Sequence, residues 1–149
     1  MVKRIIYPPI WLVLGIVAVF TCNELYPVVR FTSLLSQIVG GIIIVIGLYL
    51  LVAANGLFVR AGTEIVPFRQ VSTLVTTGVY RFSRNPMYLG MTAVLLGCAI
   101  TVGVVSALLV PVLFIIIIEF RYVRQEEELL HQLFPEEFSS YCGQVRRWL

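Results

Sequence analysis

The chain has 149 residues, 59% of them hydrophobic and 13% charged, with a net charge of +3 from 11 Lys and Arg against 8 Glu and no Asp. Soluble domains carry about 45–50% apolar and about 25% charged residues, so this composition excludes an ordinary water-soluble domain, and it is too apolar for disorder. The few basic residues are mixed with acids, which argues against a nucleic-acid partner, and Cys22, Cys98 and Cys142 are too few and too scattered for a disulfide scaffold.

Charges divide the sequence into apolar blocks. Residues 5–23 carry none and predict a first span near 8–23. Tyr7-Pro8-Pro9 interrupts the front of this block and no small-x-small site follows it, so it reads as a retained span rather than a cleaved leader. The Pro pair suits the first turn of a helix, where a missing N–H costs little. Residues 31–59 predict a second span near 35–58, in which Gly40-Gly41 and Gly47 read as a close helix contact. Residues 85–118 form a block of 34, about 51 Å as one helix, which exceeds the roughly 30 Å hydrocarbon core. Thr101-Val102-Gly103 is the break, giving two short spans near 87–101 and 104–118. The expected fold is all-α and multi-pass: about four transmembrane helices plus cytoplasmic C-terminal helices, in one membrane domain over 1–149.

The distribution of Lys and Arg orients the spans. Lys3 and Arg4 precede the first span. Glu24 and Arg30 cancel in the first connection. Arg60, Arg69, Arg81 and Arg84 outweigh Glu64 in the second connection, the turn near Gly103 carries no charge, and Arg121, Arg124, Arg146 and Arg147 follow the last span. Basic residues thus concentrate on alternate connections, as four spans with both termini cytoplasmic require.

Segments 60–86 and 119–149 then share one face and hold nearly all the ionisable groups. Thr77 to Gly90 is the first constellation. One reading makes Asn85 a helix cap, Pro86 the first helical residue, and Arg81 and Arg84 ordinary positive-inside charges. The other makes the helix start, with its free N–H groups and two guanidinium groups, a seat for an anion or carboxylate. The second constellation is Arg121, Arg124 and Glu126-Glu127-Glu128, followed by Leu129, Leu130, Leu133 and Phe134 at helical spacing. It reads as a solvated amphipathic helix with acids in its first turn, or as carboxylates placed to bind an ammonium or ribose hydroxyls. In the third, Phe138 and Tyr141 lie one helical turn apart, and Arg146, Arg147 and Trp148 suit an interface anchor. His131 reads as surface, and no metal-ligand set is present in the sequence.

Gly78-x-Tyr80-x-x-x-Arg84-Asn85-Pro86-x-Tyr88-x-Gly90 closely resembles the signature of the isoprenylcysteine carboxyl methyltransferase and phospholipid methyltransferase superfamily. A second family motif follows after a helical hairpin. Glu126-Glu127 match its paired glutamates, Leu129 or Leu130 its leucine, Phe134 its phenylalanine, Tyr141 its second tyrosine and Val145 its valine. The resemblance covers about residues 60–149, and Pro8-Pro9 and the ending Val145 to Leu149 also look like bacterial members. Pro135 stands where the family usually has Gly, Phe138 where it often has Tyr, and Asn85 where His is commoner.

The resemblance implies an integral enzyme of a bacterial cytoplasmic membrane that uses S-adenosylmethionine as methyl donor and a lipid or lipidated substrate as acceptor. The donor's site would comprise Tyr80, Asn85, Pro86, Tyr88, Glu126, Glu127 and Tyr141. The glutamates would accept from its ammonium or hydroxyls, the helix start would receive its carboxylate, and tyrosine rings would face adenine or sulfonium. Methyl transfer is an in-line displacement that asks the protein for positioning and exclusion of water. A carboxylate acceptor would be oriented by Arg84 and Arg124, as in isoprenylcysteine carboxyl O-methylation, the favoured reading. An amine acceptor, as in phospholipid N-methylation, would need a base such as Glu119 or a Glu of the 126–128 run. A membrane protein that binds lipid without turnover is the alternative of another class.

Overall fold

The computed structural model describes residues 7–62 and 73–149. Lys3, Arg4, Glu64 and Arg69, which entered the charge count, lie outside the described residues, as does part of the expected site segment 60–86. Among the described residues the chain is helical, and no strand forms beyond one isolated bridge, Arg30 to Val104.

Helix α1 (Pro8–Leu25) begins on its Pro pair. Helix α2 (Leu34–Arg60) begins at a reciprocal cap: Ser36 N donates to Ser33 Oγ at 3.1 Å, and Ser33 N donates to Ser36 Oγ at 2.9 Å. These two bonds satisfy N–H groups that a helix start would otherwise leave unpaired. A 3₁₀ turn (Gly78–Arg81) precedes helix α3 (Pro86–Val102). After a 3₁₀ turn (Val105–Leu108) come α4 (Leu109–Ile118), a π-helical turn (Glu119–Val123), α5 (Arg124–Leu133) and α6 (Pro135–Gln144).

Three helical stretches among the described residues are long and apolar enough to cross a membrane: Pro8–Leu25, Leu34–Arg60 and Val105–Leu133. Helix α3 is shorter at 17 residues, about 26 Å, near the lower limit of a spanning length. The fourth expected span runs on through the π turn into α5 without a break. Its apolar part ends at Ile118, where Glu119 begins the charged segment.

The expected break after α3 falls at Gly103, whose φ of 70° ends the helix. The connection between α1 and α2 clasps this turn. Phe31 N donates to Gly103 O at 2.8 Å, Val105 N to Val29 O at 3.0 Å, and Thr32 Oγ1 to Val102 O at 2.9 Å. A β-carbon on Gly103 would lie 2.6 Å from Thr32 Cα, so both the conformation and the close approach require glycine.

Helices α2 and α3 pack antiparallel through two glycine pairs. A β-carbon on Gly40 would meet the Gly97 carbonyl at 2.6 Å, and one on Gly47 would meet the Gly90 carbonyl at 2.7 Å. Both helices carry their pair at a seven-residue spacing, so the two contacts come into register together. Gly41, expected to share this contact, faces open space instead, because it lies about 100° round the helix from Gly40. Tyr88, Met91, Leu95, Phe114, Ile118, Tyr122 and Val123 form the main core, with Trp11, Leu51 and Trp148 packed against it. The outer faces of α1 and α2 expose their Val, Ile and Leu side chains, as a lipid-facing surface does.

Gly47→Leu should therefore push α2 from α3, a cost of about 1–3 kcal/mol as expected for overpacking. Gly41→Leu should be near neutral. Thermal unfolding in detergent compares the two; equal losses would contradict the glycine-pair contact.

Candidate functional site

The local sequence builds the site wall at the start of α3. Pro86 takes the first helical position, as expected, but Asn85 does not cap the helix with its side chain. Its Nδ2 instead donates to Arg147 O at 3.1 Å, while Ser83 Oγ accepts from Asn85 N at 3.1 Å. The distant carbonyl wins over the local cap because segment 145–148 lies directly against this loop: Arg84 N donates to Arg146 O at 3.0 Å.

Arg84 faces Glu127 of α5. Arg84 Nε and one terminal nitrogen both reach Glu127 Oε1 at 3.0 Å, and both side chains are only 12% exposed. Another Arg84 nitrogen donates to Val145 O at 2.9 Å and to Cys142 O at 3.4 Å. Arg147 takes the other oxygen of Glu127, with Nε at 3.0 Å. It also reaches Glu119 Oε1 at 2.7 Å, and Trp148 Nε1 donates to Glu119 Oε2 at 3.2 Å. Burying a carboxylate is tolerable only with such partners.

Glu126, the neighbour of Glu127, has a different environment. Tyr88 Oη donates to Glu126 Oε1 at 2.7 Å. Burial pushes the Glu126 carboxyl above the usual carboxylate range; the Tyr88 hydroxyl pulls it back and the charge of Glu127 adds to the rise. Tyr141 Oη donates to Tyr80 O at 2.6 Å, and burial lifts Tyr141 to about 12 against the opposing pull of Arg84. Burial likewise raises Tyr80, so both phenols stay protonated donors. Phe58 of α2 stands edge-on to the Tyr80 ring, with centroids 5.5 Å apart.

These groups enclose a cavity of about 350 Å³, within the range of small-molecule sites. Arg84, Asn85, Tyr80, Tyr88, Glu126, Glu127 and Tyr141, all candidates from the sequence, line it together. Pro86 is buried beside it and is not in the lining. Arg124 is not in the lining either. It is about half exposed, bonded to Glu119 at 3.2 Å and stacked 4.2 Å over the Phe120 ring. Glu128 is exposed on the outer side of α5, and Glu119 belongs to the Arg147 network rather than to the wall.

Several lining residues were not expected: Tyr7, Pro8 and Pro9 at the start of α1, Phe58, Leu74, Val75, Met87 and Met91. They read as span or connection residues in sequence, since nothing local distinguishes a cavity wall from a core. Arg147 read as an interface anchor, and only its contact across the fold shows its place.

Residues 35–137 match the family model for phospholipid methyltransferases. An uncharacterized protein of Haemophilus influenzae is 35% identical over 63 residues, which is the whole of that protein and 42% of this chain. No solved structure matches the chain.

Removing one partner of a buried ion pair costs about 3–5 kcal/mol, and because Arg147 is more than a third exposed, Glu127→Gln should fall at the lower end, about 3 kcal/mol. Glu136→Gln, at an exposed position, should change stability by less than about 0.5 kcal/mol. Denaturant titration of both variants checks the contrast, and similar losses would remove Glu127 from its central role.

Proposed function

The chain belongs to the phospholipid methyltransferase family, and on that premise we propose that it transfers a methyl group from S-adenosylmethionine to a lipidic acceptor at the cytoplasmic membrane face. The observation that carries this reading is the cavity itself. It joins apolar and aromatic walls to one carboxylate outside the arginine network, Glu126, beside a helix start.

The lining fits the donor. The first-turn N–H groups of α3 would receive its carboxylate. Leu129, Leu130 and Phe138 offer an apolar slot for the base, and the Tyr80 and Tyr88 rings would face the sulfonium. When bound, S-adenosylmethionine supplies an electrophilic methyl group. The protein's part is to align the acceptor with it and to exclude water.

The charges bear on the acceptor. A carboxylate would need an orienting cation, but Arg84 already spends its donors on Glu127 and two carbonyls, and Arg124 stands outside the cavity. An amine needs a group to take its proton, and Glu126 lines the cavity with a carboxyl that burial makes more basic than an ordinary one. We therefore favour a lipid amine. Carboxyl O-methylation of the isoprenylcysteine type is the second reading, supported by Arg84 in the wall; it requires Arg84 to release Glu127. Apolar walls that include Phe58, Met87 and Met91, all on or at the start of apolar helices, suit an acceptor arriving from the bilayer.

In this reading α1 to α4 cross the membrane four times and the cavity faces the cytoplasm. A reporter active only in an oxidising compartment, fused after Leu149, should stay inactive; activity there would refute the orientation. Purified protein in nanodiscs, given methyl-labelled S-adenosylmethionine and bacterial membrane lipid, should label the lipid fraction. Label that survives mild base supports the amine, and release as volatile methanol supports the carboxylate. Donor binding with no labelled lipid would leave a binding protein rather than an enzyme.

A further inference from the structure

Arg147 is not in the cavity lining, yet it is bonded to two residues that are. Its carbonyl accepts from Asn85 Nδ2 at 3.1 Å and from Ser83 Oγ at 3.3 Å. Its guanidinium holds Glu127 Oε2 with Nε at 3.0 Å and extends to Glu119 Oε1 at 2.7 Å. Arg84 holds only Oε1 of the same Glu127. A carboxylate gripped through one oxygen can pivot about that bond. Gripped through both oxygens by separate guanidinium groups, it keeps both its place and its plane. Glu119 Oε1, which also accepts from Arg124 Nε at 3.2 Å, holds Arg147 from the far side, so the order of support runs from Glu119 through Arg147 and Glu127 to Arg84.

We infer that Arg147 is a positioning residue: by fixing Glu127 from outside the cavity, it holds the Arg84 guanidinium beside the α3 start, where its charge adds to the first-turn N–H groups that receive the donor's carboxylate, and so governs affinity for the methyl donor. The inference rests on the donor assigned above. The substituted group is a side chain only. The carbonyls of Arg146 and Arg147, which hold segment 145–148 to the loop at Ser83–Asn85, are untouched by its replacement.

The test is a double-mutant cycle on the full chain in nanodiscs, with S-adenosylmethionine affinity read by calorimetry and unfolding temperature recorded for each variant. Arg84→Gln and Arg147→Gln should each weaken the dissociation constant about tenfold, and the double variant should be little worse than either, because both act through Glu127. Arg147→Lys should recover less than half of the loss, since an ammonium cannot hold Glu127 and Glu119 as a planar fork. Arg146→Gln, whose side chain is exposed, should stay within about twofold of the parent. A double variant weakened about a hundredfold would overturn the inference, because the arginines would then act independently. An unchanged affinity in Arg147→Gln with a lowered unfolding temperature would overturn it too, leaving a purely structural role. A parent protein that binds the donor but labels no lipid would sink the acceptor reading alone, and the affinities would still decide on Arg147. A parent that binds no donor would sink both.

Discussion

The buried carboxylate of Glu127 is the constraint on which the site depends. An unpaired charge at that depth would be very costly, so the fold must bring cations to it. It brings two, from Arg84 before α3 and Arg147 after α6, and they take one oxygen each. Three parts of the chain, far apart in sequence, are thereby held at one point. The cavity wall is the surface they enclose. The same demand explains why Asn85 does not cap its helix: the loop has turned its donors toward segment 145–148.

That convergence needs a fixed α3, and the apolar half of the molecule supplies it. Between lipid-facing helices there is no hydrophobic driving force to exploit, so close packing of small residues takes its place. Gly40 on Gly97 and Gly47 on Gly90 set α3 against α2 along its length. The Gly103 turn, clasped by Val29, Phe31 and Thr32, anchors its far end. With α3 so held, Arg84 and Asn85 emerge at a defined height. The π turn at Glu119–Val123 acts on the other side. A π turn holds one residue more than an α turn, and helix faces before and after it differ in aim. Here Glu119 reaches Arg147 and Trp148 while Tyr122 remains in the core.

Adjacent acids end with opposite characters. Glu127 is saturated by guanidinium groups, while Glu126 meets a phenol, and burial favours its neutral form. Both line the cavity, one tied to two arginines and the other to a phenol.

The sequence alone determined the class of the protein and the approximate ends of its helices. Charge-free blocks, the Pro8-Pro9 pair and Pro86 at helix starts, and Gly103 are local signals, and local physics decides them: burial of apolar runs, a fixed φ, a positive φ. The motif around Arg84 and the paired glutamates likewise named the charged residues of the cavity lining and three of its tyrosines, since those residues carry their chemistry in their type. What only the tertiary structure decided were the partnerships. Nothing near Arg147 marks it as the second grip on Glu127. Nothing near Arg124 marks it as turned outward onto Phe120, and nothing separates Glu126 from Glu127. Gly41 and Gly40 are indistinguishable until α3 lies against one of them. These distinctions depend on which side of a helix a residue occupies and what another helix places opposite it. Such contacts span tens of residues in sequence, and only the assembled helices bring them together.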